Sequence, residues 1–193
     1  MVPTFLDVFG AKIQAVILYI HQQLALDPTA KFVAFTEYTF QFHLLGLALH
    51  LVNVQAEQVI DGASAYPPIL AFKSDPNVRV LIMPFSKCAA GINLSEATHV
   101  LFLHPYAGRS ESPWGRDKST WFTSYSQFAP PPTAHVTMLN EERKQVWGEW
   151  ERRCVEMVAM GKETHRHSPV RIARFAIQHS IEERFGWDSW SQV

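Results

Sequence analysis

Six residues carry the chemistry that can be read most directly from type and spacing. Ser86, Gly91 and Asn93 fall in one short connection that directly follows the apolar run Val78 to Met83. Ligands of open α/β sheets gather in such loops, at the carboxyl ends of strands. Gly91 lets a backbone approach closely, and Ser86 and Asn93 offer short polar groups of the kind that meet a phosphate or a partner loop. The same residues also fit a tight connection in which Asn93 bonds only its own backbone. Arg166, Arg171 and Arg174 surround the last apolar segment and offer guanidinium groups to a phosphate backbone. No G-x-x-x-x-G-K-[ST] motif occurs in the chain, so nothing in it provides the glycine-rich cradle and lysine that hold a nucleotide's phosphates and magnesium.

Other constellations are weaker. Cys88 with His99 and His104 downstream has the residue types of a Cys–His nucleophile, but a small side chain in a packed loop is the reading adopted. His165 and His167 flank Arg166, and with His99 or His104 they suggest metal ligation. No cysteine or carboxylate completes a set at ligand spacing, so no metal site is assigned. Trp114, Trp121, Trp147 and Trp150, with Phe122, Tyr125 and Phe128, have the character of base-stacking platforms, yet few basic residues accompany them. Packing against the rest of the chain, or a protein interface, accounts for them equally well.

The elements that must position these residues follow from periodicity. Ile13, Val16, Ile17, Ile20 and Leu24 recur at helical spacing over Lys12 to Leu26, and Asp27-Pro28 ends that helix. Lys31 to Phe35 reads as a strand, Thr39 to Leu51 as a helix, Val54 to Ile60 as a strand and Pro68 to Lys73 as a short helix. Val78 to Met83 and His99 to Leu103 are strand runs of strongly apolar character, Arg79 and His99 apart, which is the pattern of strands covered on both faces. Helical spacing returns at Val146, Trp150, Cys154, Val155 and Val158, with Asn140 as the N-cap. Val170 to Ile177 is the last strand, and a helix starts at Ser180 to Glu183. Alternating strands and helices of this kind predict a three-layer α/β domain on a parallel sheet. Between them, 106–137 is rich in Gly, Ser, Pro and aromatics and is read as an insertion or loop, which leaves 1–105 and 138–193 as one lobe.

Composition narrows the function classes. The chain has 193 residues, 47% of them hydrophobic and 18% charged, as an ordinary globular domain has. A net charge of -1 removes the strong basic field on which a free-standing nucleic-acid binder relies, so any DNA contact must be local. Cys88 and Cys154 are too few for a disulfide framework, and free thiols in a reducing compartment are expected. Met1 to Gly10 lacks the pattern of a secretory signal, and no stretch approaches the roughly 18 apolar residues of a membrane span. A soluble intracellular protein is predicted, with no membrane partner.

Four blocks, in order, resemble one family. Ala11 to Val16 is similar to a helix that opens a lobe, and Asp27-Pro28 with Lys31 to Tyr38 to the strand and turn of helicase motif IV. Asp61-Gly62, Ile69 to Phe72 and Asp75-Pro76 are similar to a glycine turn, a helix and a turn before a strand. The most specific block is Met83 to Leu94 followed by Glu96 to Val100, which resembles motif V. Ser168 to Ile172, through Phe175 to Ser180–Arg184, resembles the closing strand and helix. Together they resemble the helicase C-terminal, second RecA-like lobe of Swi/Snf-type ATPases, closest to the SHPRH-type branch of RING ubiquitin ligases.

The resemblance implies a RecA-like fold of the P-loop NTPase class. It also implies nuclear localisation, double-stranded DNA and chromatin proteins as partners, and ATP with Mg bound only when a first RecA-like lobe is paired with this one. By motif V it places Ser86, Gly91 and Asn93 near nucleotide, and it makes Arg166, Arg171 and Arg174 candidates for DNA contact. The chain departs from the family at motif VI. Aligned back from Pro169, the two arginines that stabilise γ-phosphate charge, worth about 10³–10⁵ in rate, are replaced by Met160 and Glu163. The acidic residue before a proline becomes His104-Pro105, and Ser-Gln-Trp or Ser-Gln-Phe becomes Thr36-Glu37-Tyr38. A degenerate lobe, inactive alone, is the implied function; a fragment of an active remodeller or ligase whose first lobe lies elsewhere is the alternative.

Overall fold

The computed structural model describes residues 8–36, 38–60, 63–87, 92–104, 151–159 and 170–175. The 106–137 insertion, the N-cap at Asn140 and the helix at Ser180 lie outside the described residues, as do Cys88, Gly91, Met160, Glu163, His165, Arg166 and His167. The elements run α1 (Gly10–Leu26), β1 (Phe32–Thr36), α2 (Thr39–Leu51), β2 (Ala56–Gln58), α3 (Tyr66–Ser74), β3 (Val80–Pro84), β4 (His99–Phe102) and β5 (Arg171–Arg174). A 3-10 turn, Phe85–Lys87, follows β3 directly. Residues 151–159 are helical and are termed α4.

All strand pairs are parallel, in the order β2-β3-β1-β4-β5. From β1 to β2 the chain steps toward one edge, whereas every later step runs the other way. Right-handed crossovers therefore require α2 on one face and α3, the β3–β4 connection and α4 on the opposite face. The two cores match this requirement. On one face, Ile17 and Ile20 of α1 and Leu45 and Leu49 of α2 pack on Phe32, Ala34, Ile82 and Leu101. On the other, Phe72 of α3, Leu94 and Ala97 of the connection, and Met157 and Val158 of α4 pack on Val33, Phe35, Leu81 and Val100. Alternate residues of one strand thus point to opposite layers, both dry, which is why β1, β3 and β4 are apolar apart from Thr36 and His99.

Local chemistry ends each helix. Asp27 and Asp75 are both extended, as a residue before proline must be, and their Oδ1 atoms accept the backbone N–H of Thr29 and Asn77, each at 2.8 Å. One Asp-Pro device therefore stops both α1 and α3. α2 stops differently. Asn53 has φ 58°, its N–H donates to His50 O at 3.1 Å, and the Val54 N–H donates to Leu49 O at 3.0 Å. This is a Schellman cap with asparagine in the left-handed position usually given to glycine, and Val54 and Leu49 share the same core.

Candidate functional site

The connections that leave β1, β3 and β4 emerge side by side at the carboxyl edge of the sheet. α2, which follows β1, packs on one face, whereas Leu94 and Ala97 after β3 pack on the other, so β1 and β3 lie where the strand order changes direction. Aromatic side chains occupy this region. Phe35, Phe85 and Phe102 lie nearly parallel, with centroids 5.7 to 6.0 Å apart. His104 sets its ring edge against Phe85 at 6.0 Å, and Tyr38 lies on His104 at 4.5 Å. Thr36 Oγ1 and His104 Nε2 share a 2.8 Å hydrogen bond, and both residues are only 1% exposed. Tyr38, half exposed, is the outer end of this column.

Of the residues expected to do chemistry, Ser86, Asn93, Arg171 and Arg174 lie among the described residues. Ser86 is in the 3-10 turn immediately after β3, at the carboxyl edge as motif V predicts. Asn93 is exposed, its Oδ1 accepts the Ser95 N–H at 2.9 Å, and its carbonyl accepts Lys73 Nζ at 3.1 Å. Those are the local backbone bonds of a tight connection, reinforced by Lys73–Glu96 at 3.3 Å and by the Leu94 N–H donating to Met157 O at 2.8 Å. The turn is thereby stapled to α3 and α4.

Arg171 and Arg174 do not form one patch. Three residues apart on a strand, they face opposite layers. Arg171 is at the amino end of β5, where its Nη1 donates to Gln23 Oε1 of α1 at 2.8 Å. Arg174 is at the carboxyl end and holds Glu151 of α4, with Nε at 3.0 Å and Nη2 at 2.7 Å from one carboxylate oxygen. Arg152 is committed to Glu156 one helical turn on, at 2.6 Å, as a solvated helix face would have it. His99 and His104 mark opposite ends of β4, roughly 16 Å apart at 3.3 Å per residue, so they share no site.

At the amino edge a second polar set holds the strands. His99 stacks on Phe32 at 4.7 Å, with Tyr19 edge-on at 6.0 Å. Its Nδ1 shares a hydrogen bond with Thr98 Oγ1, and its Nε2 is 3.4 Å from Gln23 Oε1. Burial raises the Tyr19 hydroxyl above its ordinary pKa, opposed by Arg171. Lys31 donates from Nζ to Phe72 O and, at 2.8 Å, to Asp75 O, and it lies 5.0 Å over the Phe72 ring. It caps the carboxyl end of α3. Burial holds its ammonium below the usual lysine pKa and Arg79 adds to the effect, while Glu96 and Asp75 oppose it.

The column of Thr36, Tyr38, Phe85 and His104 was not assembled from sequence. Thr36 and Tyr38 were read as a departure in motif IV and His104 as a lost acidic turn. The available signal was that both segments directly follow strands that end up adjacent.

This strand order, with two covered faces, is a fold the chain shares with solved ATPase and helicase domains. The C-terminal part of the Fun30 ATPase domain superposes with a TM-score of 0.63 over 94% of this chain and 46% of that one, at 14% identity. The Pyrococcus furiosus Hef helicase domain does so with a TM-score of 0.52 over 92% of this chain and 28% of that one, at 16% identity. No family model matches the chain. In sequence, 96 residues are 29% identical to the E3 ubiquitin-protein ligase SHPRH of Homo sapiens, and equally to that of Mus musculus. The match spans half of this chain and 6% of the ligase. The superpositions show a shared fold, and the sequence likeness is to a short part of SHPRH. Among the described residues, no helix is long and apolar enough to cross a membrane.

Proposed function

We propose that the chain is a degenerate second RecA-like lobe of a Swi/Snf-type DNA-dependent ATPase, inactive alone, serving a chromatin- or DNA-associated assembly in the nucleus. The observation that carries this reading is the pairing of a RecA-like lobe that matches the Fun30 ATPase part along 94% of the chain with a sequence that has no phosphate-binding loop. Nucleotide and Mg would be met only across a cleft shared with a first lobe, by Ser86, Gly91 and Asn93 of the motif V connection. With Met160 and Glu163 where the family has arginines, little stabilisation of γ-phosphate charge is left for this lobe to give. The lobe's remaining contribution is positional: a stiff carboxyl edge that a partner lobe or a DNA backbone can rest against.

DNA contact is proposed for Arg171 and, five residues earlier, Arg166, with Arg174 already engaged by Glu151. At net charge -1 such contact is local and falls in the weak non-specific range of about 10⁻⁴–10⁻⁶ M. A second reading, a fragment of an active remodeller or SHPRH-like ligase, is favoured by the 96-residue match to that ligase alone. Steady-state ATPase assays on the purified chain, with and without double-stranded DNA, test the proposal. No turnover above background is expected. DNA-stimulated hydrolysis that a point substitution in this chain abolishes would sink it.

A further inference from the structure

We draw no further inference here: the strongest candidate, the outward apolar stripe of α2 formed by Phe40, Leu47 and Leu51 at helical spacing, carries nothing because nothing in the structure shows what covers it.

Discussion

Replacing Arg174 should cost stability before it costs any contact with nucleic acid. The guanidinium directs Nε and Nη2 to one oxygen of Glu151, and the two side chains are only 20% and 10% exposed. Exposed ion pairs contribute about 0–1 kcal/mol, whereas breaking a fully buried pair costs about 3–5 kcal/mol because it strands a charge. This pair lies between those limits and nearer the second, so Arg174→Met should destabilise the lobe by roughly 2–3 kcal/mol. Glu151→Met should cost a similar amount. The double substitution replaces the pair with two apolar chains of similar reach, and most of the loss should return; with singles summing to about 5 kcal/mol and a double costing about 1, the coupling energy should be about 3–5 kcal/mol. Urea unfolding reads this directly, since at a slope of roughly 2 kcal/mol/M each single variant should shift its midpoint down by about 1 M with the slope unchanged. If Arg174→Met unfolds within about 0.2 M of the parent, the pair holds nothing together. A double variant no better than either single would equally refute the reasoning.

Further outcomes follow from the same geometry. Asn53→Gly should stabilise the α2 cap, while Asn53→Ala should cost about 1 kcal/mol, because only the alanine carries an apolar Cβ into φ 58°; calorimetric melting separates the two. A Cβ on Gly46 would come 2.1 Å from Gln58 Nε2, which donates to Phe42 O at 3.0 Å. Gly46→Ala should therefore be near neutral, about 1 kcal/mol of helix propensity offset by a lost hydrogen bond, and should become clearly stabilising in a Gln58→Ala background. A folded-state Lys31 pKa below the unfolded 10.5 means the unfolded chain binds more protons in that window. Relative to Lys31→Met, the parent should gain stability as pH rises through the folded pKa toward 10.5, and a fall over that range would contradict the assignment. On α2, Leu47→Lys on the outer stripe should stay within about 0.5 kcal/mol in the isolated chain, while Leu45→Ala on the buried face should lose about 2–5 kcal/mol by urea titration.

The fold was legible because burial on two faces leaves a simple trace. A strand with dry layers above and below has no polar alternation, so Val80 to Met83 and, after His99, Val100 to Phe102 announce themselves as apolar runs. Asp27-Pro28 and Asp75-Pro76 fix two boundaries by sterics alone. The position of the motif V connection was likewise readable, since it needs only the strand before it. Asn93 accepts the Ser95 N–H two residues on, a local bond that the residue type and a tight connection make readable. What sequence proximity obscured was direction: Arg171 and Arg174 look like neighbours along the chain, but a three-residue step on a strand sends them to different layers. Pairings at long range left no local mark. Thr36 and His104 are 68 residues apart, and only the strand order brings them together.

That strand order also brings together the side chains that tie the carboxyl edge. β1 is flanked by β3 and β4, and the segments leaving all three are joined by side chains rather than by backbone ladders. Thr36 is bonded to His104, Tyr38 covers His104, and Phe85 joins them to the rings of Phe35 and Phe102. A buried hydroxyl and imidazole that satisfy each other are costly to separate, because each would be left without a partner in a dry site. The connection after β1 therefore cannot shift away from the one after β4 without breaking that bond, nor from the 3-10 turn after β3 without unstacking Phe85. Thr36→Val or His104→Leu should therefore loosen all three connections together. Hydrogen exchange along residues 36–42, 84–87 and 102–104 is the readout. Faster exchange confined to the mutated segment would mean that the three are independent.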